Sequence, residues 1–434
     1  MVSRTQRPAQ SKRVVYCEGN PKFDPAAAVQ ERDNHERAMK VLNERNAFDE
    51  AIRIRFGIGA ADGYVYHAVA SVTLSQVQRA VAVGRAHGMH DWYEDFETTA
   101  GSNNGVERKG GEGEDVSLFE LNHPPPPTPE DIKSYISIFS PATSTPAALK
   151  AFLANAKKNS IRHAVAEYLC GKRFLSASIP EAPKVKPPSL PKLPVNPSYD
   201  FWAWSCLNLE WCGPLPPSLK KQQRIRSHHV LPVMMHHFGC AVPSHEALSL
   251  LKALTLPPAG SGNKGQKIPN KRIADLGSGN GYWTFMLRQY GVEVDAVDNG
   301  QSEWRVNWIP NTLPITATSY LSSQENNHSE LVLLLVYPIV ASDGSFTREI
   351  LEAYKGDTIA VVGTQNRNGY TAFKDKTMDE YMTTEHGDTW EKTVQIPLPS
   401  FAGKDEALFV FQRRRGSLSE GVDGNRASPT GSKV

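Results

Sequence analysis

Residues 272–283 read RIADLGSGNGYW, and this stretch decides the fold class. Residues 273–276 predict a short buried strand, glycines follow at positions 277, 279 and 281, and a helix is predicted over residues 282–290. Glycines allow a tight turn and let a ligand approach the backbone closely. The start of the helix offers unpaired N–H groups to the same ligand. The pattern therefore predicts a ligand site where the strand ends.

A second strand supports this prediction. Residues 292–297 read VEVDAV, a stretch with β-branched valines at every other position at its start, and Asp298 follows them. An acid about 20 residues beyond a glycine loop is placed to accept hydrogen bonds from ribose hydroxyls. NAD enzymes share this feature, but their fingerprint requires a third glycine at position 282, where this chain has Tyr282. The mismatch disfavours an NAD-type oxidoreductase.

The Gly-x-Gly-x-Gly spacing, with Asp275 two residues before the first glycine, resembles motif I of the class I (Rossmann-like) S-adenosyl-L-methionine-dependent methyltransferases. In that family the acid and the loop hold the methionine end of the cofactor. The resemblance therefore implies S-adenosyl-L-methionine as the cofactor. The residues expected to bind it are Asp275, Gly277, Ser278, Gly279, Asn280, Gly281, Asp298 and Asn299.

Strands and helices alternate from residue 272 onward. Residues 331–337 and 358–363 predict the fourth and fifth strands, and residues 393–398 and 407–412 predict a closing antiparallel pair. The third strand is the weakest, because residues 315–318 are its only candidate. We predict an α/β fold: a doubly wound seven-stranded sheet with an antiparallel closing strand, plus an N-terminal helical extension. The resemblance covers residues 270–414, about one third of the chain.

The rest of the chain divides by composition, because glycine and proline together supply 63 of the 434 residues. Residues 180–197 are rich in proline, which favours a semi-rigid polyproline II spacer. Residues 1–195 are expected to be dispensable for cofactor binding. The predicted parts are residues 1–100 (tail and helical region), 101–198 (linkers with a helical segment, proline-rich at 180–197), 199–270 (aromatic- and histidine-rich cap segment), 271–414 (cofactor-binding domain) and 415–434 (disordered tail).

Candidate substrate and catalytic residues come from two places. The polar loop after the fifth predicted strand supplies four candidate substrate-binding residues: Gln365, Asn366, Arg367 and Tyr370. The resemblance places Tyr337 nearest the transferred methyl group. An oxygen nucleophile needs a base, for which His228, His236 and Tyr337 are the candidates.

Composition limits the partners. The net charge of +2 excludes a dominantly electrostatic nucleic-acid binder, although RNA stays open as an acceptor. No run of about 18 apolar residues exists, so no membrane span is expected. The histidines between 228 and 245 match no familiar zinc pattern, so no metal is expected. We expect a cytoplasmic or nuclear protein; the basic N-terminal residues keep a mitochondrial location open. The oligomeric state is not predicted.

The predicted function is S-adenosyl-L-methionine-dependent methyl transfer to an undetermined acceptor. After the fourth strand the chain reads Tyr337-Pro338-Ile339, not the Asp/Asn-Pro-Pro-aromatic pattern of amino-group methyltransferases. The absence of cysteine from residues 271–414 counts against a cysteine adduct in C5 methylation of pyrimidines. The alternative is a non-catalytic scaffold or binding protein that keeps this fold and works through its proline-rich linkers.

Overall fold

The structure is a computed structural model. It describes residues 32–68, 71–84, 92–93, 126–182, 185–214, 229–257, 269–323, 327–338, 344–367, 371–373 and 375–414. Three predictions lie outside these described residues: the roles of His228 and Tyr370, and the disorder of residues 415–434.

The described elements fall into a mainly helical N-terminal part and a C-terminal part in which strands and helices alternate. The helices are α1 (Arg32–Arg45), α2 (Phe48–Phe56), α3 (Leu74–Val83), α4 (Pro129–Ser137), α5 (Thr145–Ala154), α6 (Ile161–Lys172), α7 (Pro197–Asn208), α8 (Leu231–Phe238), α9 (His245–Thr255), α10 (Tyr282–Gln289), α11 (Ala317–Ser322), α12 (Ser345–Ala353) and α13 (Met378–His386). The strands are β1 (Tyr66–His67), β2 (Ser71–Val72), β3 (Phe174–Leu175), β4 (Arg272–Leu276), β5 (Val294–Val297), β6 (Leu331–Val336), β7 (Thr358–Thr364), β8 (Trp390–Pro397) and β9 (Glu406–Arg413). None of the helices described is at once long and apolar enough to cross a membrane.

The main sheet has seven strands in the order β3-β8-β9-β7-β6-β4-β5. Strands β5, β4, β6 and β7 are parallel, β9 runs antiparallel to β7 and β8, and β3 runs antiparallel to β8. The central strand β6 reads LVLLLV, which is the composition of a strand covered on both faces. The predicted fold class, an α/β fold with antiparallel closing strands, is confirmed.

One of the seven strands predicted from the sequence is absent, and a different strand completes the sheet. Residues 315–318 form no strand, because the Thr316 side chain accepts a hydrogen bond from the Ser319 amide and caps the start of α11. Among the described residues, a single bridge between Val297 and Leu313 extends the sheet at the edge formed by β5. Strand β3, from the N-terminal part, completes the sheet at the opposite edge, where Phe174 pairs with Gln395.

Side chains alternate between two cores, one on each face of the sheet. Ala274 and Leu333 point to the face covered by α11, α12 and α13. Ile273 and Val332 point to the other face, where a single buried cluster continues through α10 and α9 to α1. The predicted boundary at residue 271 therefore crosses a continuous core, and the domain division stays a prediction.

Candidate functional site

A cavity of about 390 Å³ lies at the carboxyl ends of β4, β5 and β6. This volume falls within the range of about 300–1,000 Å³ that small-molecule and cofactor sites occupy. The carboxyl edge of a parallel sheet is also where such folds bind ligands. The wall consists of the glycine loop after β4, the segments after β5 and β6, the start of α11, part of α12, and Gly239 with Cys240 after α8.

The glycine loop has a backbone that only glycine adopts easily. Gly277, Gly279 and Gly281 have φ angles of 78°, 58° and 75°. A Cβ atom on Gly279 would lie 2.8 Å from the ring of Trp304, and one on Gly281 would overlap Ile309. Gly277 and Gly279 line the cavity, whereas Gly281 packs beside it. The three glycines thus serve both the turn and the close packing around it.

Asp298 joins the glycine loop to the end of β5. Its Oδ2 accepts a hydrogen bond from the Gly279 amide at 2.8 Å, and its Oδ1 accepts one from the Gly300 amide at 2.7 Å. These two bonds hold the carboxylate at the cavity wall, which it lines. Six of the eight predicted cofactor residues line the cavity: Gly277, Ser278, Gly279, Asn280, Asp298 and Asn299.

Asp275 lies beneath the loop and not in the cavity wall. Its side chain is fully buried, and its Oδ2 accepts a hydrogen bond from the Thr284 hydroxyl at 2.6 Å. Burial raises the pKa of this carboxyl to about 7, and the Thr284 hydroxyl partly opposes that effect. Asp275 therefore ties β4 to α10. The side-chain contact with the cofactor that the resemblance implies does not fit this position.

Tyr337 lines the cavity at the end of β6. Its φ angle is 53°, in the left-handed region that few bulky residues adopt. Its amide donates a hydrogen bond to the Val362 carbonyl at 2.7 Å, and the Lys404 ammonium lies 4.4 Å from its ring centroid. Backbone strain of this kind is concentrated at functional sites.

Three consecutive charged residues are buried behind Tyr337. Lys404, Asp405 and Glu406 are each at most 4% exposed, although such side chains are rarely buried without partners. The Lys404 ammonium lies 3.7 Å from the Glu406 carboxylate. Burial raises the pKa of Glu406 to about 7 and that of Asp405 to about 6. These residues give no signal of burial in the sequence, because a charged triplet before an apolar strand is usually a solvated turn.

His236 does not reach the cavity wall. Its Nε2 donates to the His67 carbonyl at 2.8 Å, which leaves Nδ1 to accept from the Tyr64 hydroxyl at 3.2 Å. Burial lowers the pKa of this histidine, which favours the neutral ring. The residue is 5% exposed and already has a partner at each ring nitrogen. The predicted catalytic role therefore has no support in this geometry.

The loop predicted to bind substrate is also outside the cavity wall. Gln365 donates to the Asp405 carboxylate at 2.8 Å and is buried, while the exposed Arg367 pairs with Glu380 at 2.6 Å. The Asn366 carbonyl accepts from the Thr364 hydroxyl at 3.3 Å. The Gln365 side chain therefore lies within the fold's own polar contacts and the Arg367 side chain at the surface, while Asn366 contributes its backbone carbonyl. Among the described residues, no group of His, Cys, Asp and Glu side chains is arranged to hold a metal ion.

No protein family model matches the chain, and no curated protein sequence matches it. One solved structure to which it is similar is the 1,6-didemethyltoxoflavin-N1-methyltransferase of Burkholderia thailandensis, with bound 1,6-didemethyltoxoflavin and S-adenosylhomocysteine. The two share 12% identity over 33% of this chain and 72% of that one, with a TM-score of 0.24. A similarity at this level says nothing about the cofactor or acceptor of this chain.

Proposed function

We propose that this chain is an S-adenosyl-L-methionine-dependent methyltransferase. One observation carries the proposal: the glycine loop with its positive φ angles, Asp298 and Tyr337 meet in one cavity at the carboxyl edge of the sheet. Asp298 is placed to accept a hydrogen bond from a ribose hydroxyl. The glycines, which have no side chains, let a ligand approach the backbone of the loop closely.

The cofactor would supply a methyl group that its sulfonium already activates. The protein then has to bind it, orient the acceptor and exclude water. The glycine loop and Asp298 would hold the cofactor. Tyr337 lines the cavity, which supports its proposed contact with the acceptor. Its strained backbone fixes the direction of the ring, and the buried Lys404 packs behind it.

Calorimetric titration of the full chain tests cofactor binding. We expect S-adenosylhomocysteine to bind and NAD⁺ not to bind. Asp298→Asn should weaken binding about tenfold or more, because a charged hydrogen-bond acceptor is lost. Asp295→Asn is the matched control: this acid lies on β5, three residues before Asp298, but pairs with Arg272 at 2.6 Å, outside the cavity wall. A folded wild-type chain that binds no S-adenosylhomocysteine would overturn the proposal.

Catalysis is tested separately from binding. Labelled methyl groups from the cofactor should be transferred to one of the RNA, protein or small-molecule fractions of a cell extract, and Asp298→Asn should reduce the transfer. Binding without transfer to any fraction would favour the non-catalytic alternative. That alternative needs an accessible proline-rich segment, but part of this segment packs within the fold. Leu193, Pro194 and Val195 line a second cavity, and the Val185 amide donates to the Pro141 carbonyl.

A further inference from the structure

Residues 59–67, which follow α2 and include β1, contact the chain beside two walls of the cofactor cavity. We call them the clamp segment. One wall is the stretch after β5, where Trp304 lines the cavity. The other is the pair Gly239 and Cys240, directly after α8. The clamp segment lies within residues 1–195, which are expected from the sequence to be dispensable for cofactor binding.

The first contact is a buried ion pair. Arg305, next to Trp304, is fully buried and donates through Nη2 to the Asp62 carboxylate at 2.7 Å. The Asp62 side chain is 2% exposed. The Arg305 guanidinium also lies 4.3 Å from the ring centroid of Tyr64. Burying two charges is costly, so such a pair is weak evidence for stability and is better explained by the geometry that it imposes.

The second contact holds the last turn of α8. The Tyr64 hydroxyl and the His67 carbonyl bond the two ring nitrogens of His236. The Tyr66 hydroxyl lies 3.1 Å from Nε2 of His237, the next residue. Two residues later the chain reaches Gly239 and the cavity wall. The clamp segment therefore positions this wall through side chains that have no contact with the cavity itself.

The two walls are also bonded to each other and to the glycine loop. The Arg305 amide donates to the His236 carbonyl at 3.1 Å. Trp308 donates through its amide to the Asn280 carbonyl at 2.8 Å and through its ring N–H to the His237 carbonyl at 2.5 Å. Movement of the stretch after β5 would thus shift the glycine loop as well.

We infer that Asp62 and Tyr64 are positioning residues for the cofactor site: they hold residues 301–309 and the end of α8 in the arrangement that shapes the cavity. The identity of the ligand rests on the proposed function. The positioning role of Asp62 and Tyr64 does not depend on the proposed function, since every contact above lies within the chain.

The test compares two buried ion pairs in the full-length protein. Asp62→Asn removes one charge while keeping the side chain's shape. Glu246→Gln is the matched control: the Arg173–Glu246 pair is 2.6 Å long, its side chains are 11% and 7% exposed, and neither residue lines the cavity. Tyr64→Phe is a milder variant that removes the hydroxyl from His236 and keeps the ring beside Arg305.

Two measurements are made on each folded variant: amide hydrogen exchange without ligand, and S-adenosylhomocysteine affinity by calorimetry. Asp62→Asn should speed exchange in residues 301–309 and weaken binding about tenfold. Tyr64→Phe should show the same changes to a smaller degree. Glu246→Gln should change neither, although it should lower the melting temperature.

The outcomes separate the two proposals. Exchange and affinity in Asp62→Asn equal to those of Glu246→Gln would overturn the clamp and leave the cofactor assignment intact. A wild type that binds no S-adenosylhomocysteine would overturn that assignment, while the exchange data would still decide the clamp. If Asp62→Asn does not fold, the double variant Asp62→Leu/Arg305→Met removes both charges, and Tyr64→Phe gives the same comparison.

Discussion

The glycine loop and the clamp segment shape the same cavity in different ways. The loop acts through its own backbone: its glycines follow one another at fixed spacing and adopt positive φ angles. The clamp acts through side chains on remote partners, as with Asp62 and Arg305, which are 243 positions apart in the chain. A cavity wall built by the backbone can therefore be predicted from a local sequence pattern, whereas a wall held by long-range contacts cannot.

Blocking the glycine loop should have the largest effect. Gly279→Val should abolish S-adenosylhomocysteine binding, because the new Cβ would lie 2.8 Å from the Trp304 ring at a φ angle of 58°. Gly84→Val is the matched control, since Gly84 has the same φ angle and no atom near its Cβ position. Calorimetry on both variants gives the answer. Equal affinity in the two would show that the space beside Gly279 does not matter for the ligand.

Neutralising the acid beneath the loop should change the pH dependence of stability. The unfolded chain loses the Asp275 proton near pH 4, but the folded chain keeps it up to about pH 7. Between these values the unfolded state binds fewer protons, so the free energy of unfolding falls as the pH rises. At about 1.4 kcal/mol per pKa unit, this group accounts for a loss of about 4 kcal/mol.

Asp275→Asn should remove that loss, so its stability should decline less than the wild type's between pH 4.5 and 7.5. Urea denaturation at several pH values measures the difference. The exposed Asp357 supplies the control variant Asp357→Asn, which should follow the wild-type curve. Parallel curves for the wild type and Asp275→Asn would contradict the buried, protonated carboxyl.

Trp308 bonds both the glycine loop and the end of α8, so its substitution should show whether cofactor affinity changes independently of stability. Trp308→Phe and Trp202→Phe each remove a buried ring N–H that donates to a backbone carbonyl, of His237 and Ser400 respectively. Each should lower the free energy of unfolding by about 1–3 kcal/mol. Only Trp308→Phe should also weaken cofactor binding several-fold, because the lost ring N–H bond ties the stretch after β5 to His237, two residues before the cavity wall at Gly239. An equal loss of affinity in both variants would mean that general destabilisation explains the effect.

The smallest effect is expected outside both regions. Arg367→Ala removes an exposed side chain that pairs with Glu380, so cofactor affinity and melting temperature should stay close to the wild-type values. Its effect on methyl transfer tests the original assignment of this loop to the substrate. A large rise in the acceptor's KM would restore that assignment.

Much of the sheet could be predicted from the sequence because its signals are local. The glycine spacing located β4 and α10, and apolar β-branched runs located β5, β6 and β7 to within a few residues. The strand expected at residues 315–318 failed because Thr316 caps a helix there. The role of the substrate loop stays a prediction, because Gln365 and Arg367 bond neighbouring side chains and polarity alone does not distinguish such contacts from ligand contacts.

The edge strand β3 has a consequence for biosynthesis. Phe174 pairs with Gln395, so the first strand of the sheet to be translated waits for one that leaves the ribosome roughly 220 residues later. At about 5–20 residues per second, the delay is roughly 10–40 seconds. During that time the apolar surfaces of the N-terminal helices have no sheet to cover them, and the pairing itself closes a long loop. A nascent chain of this protein therefore keeps this apolar surface uncovered by the sheet until strands β8 and β9 are made.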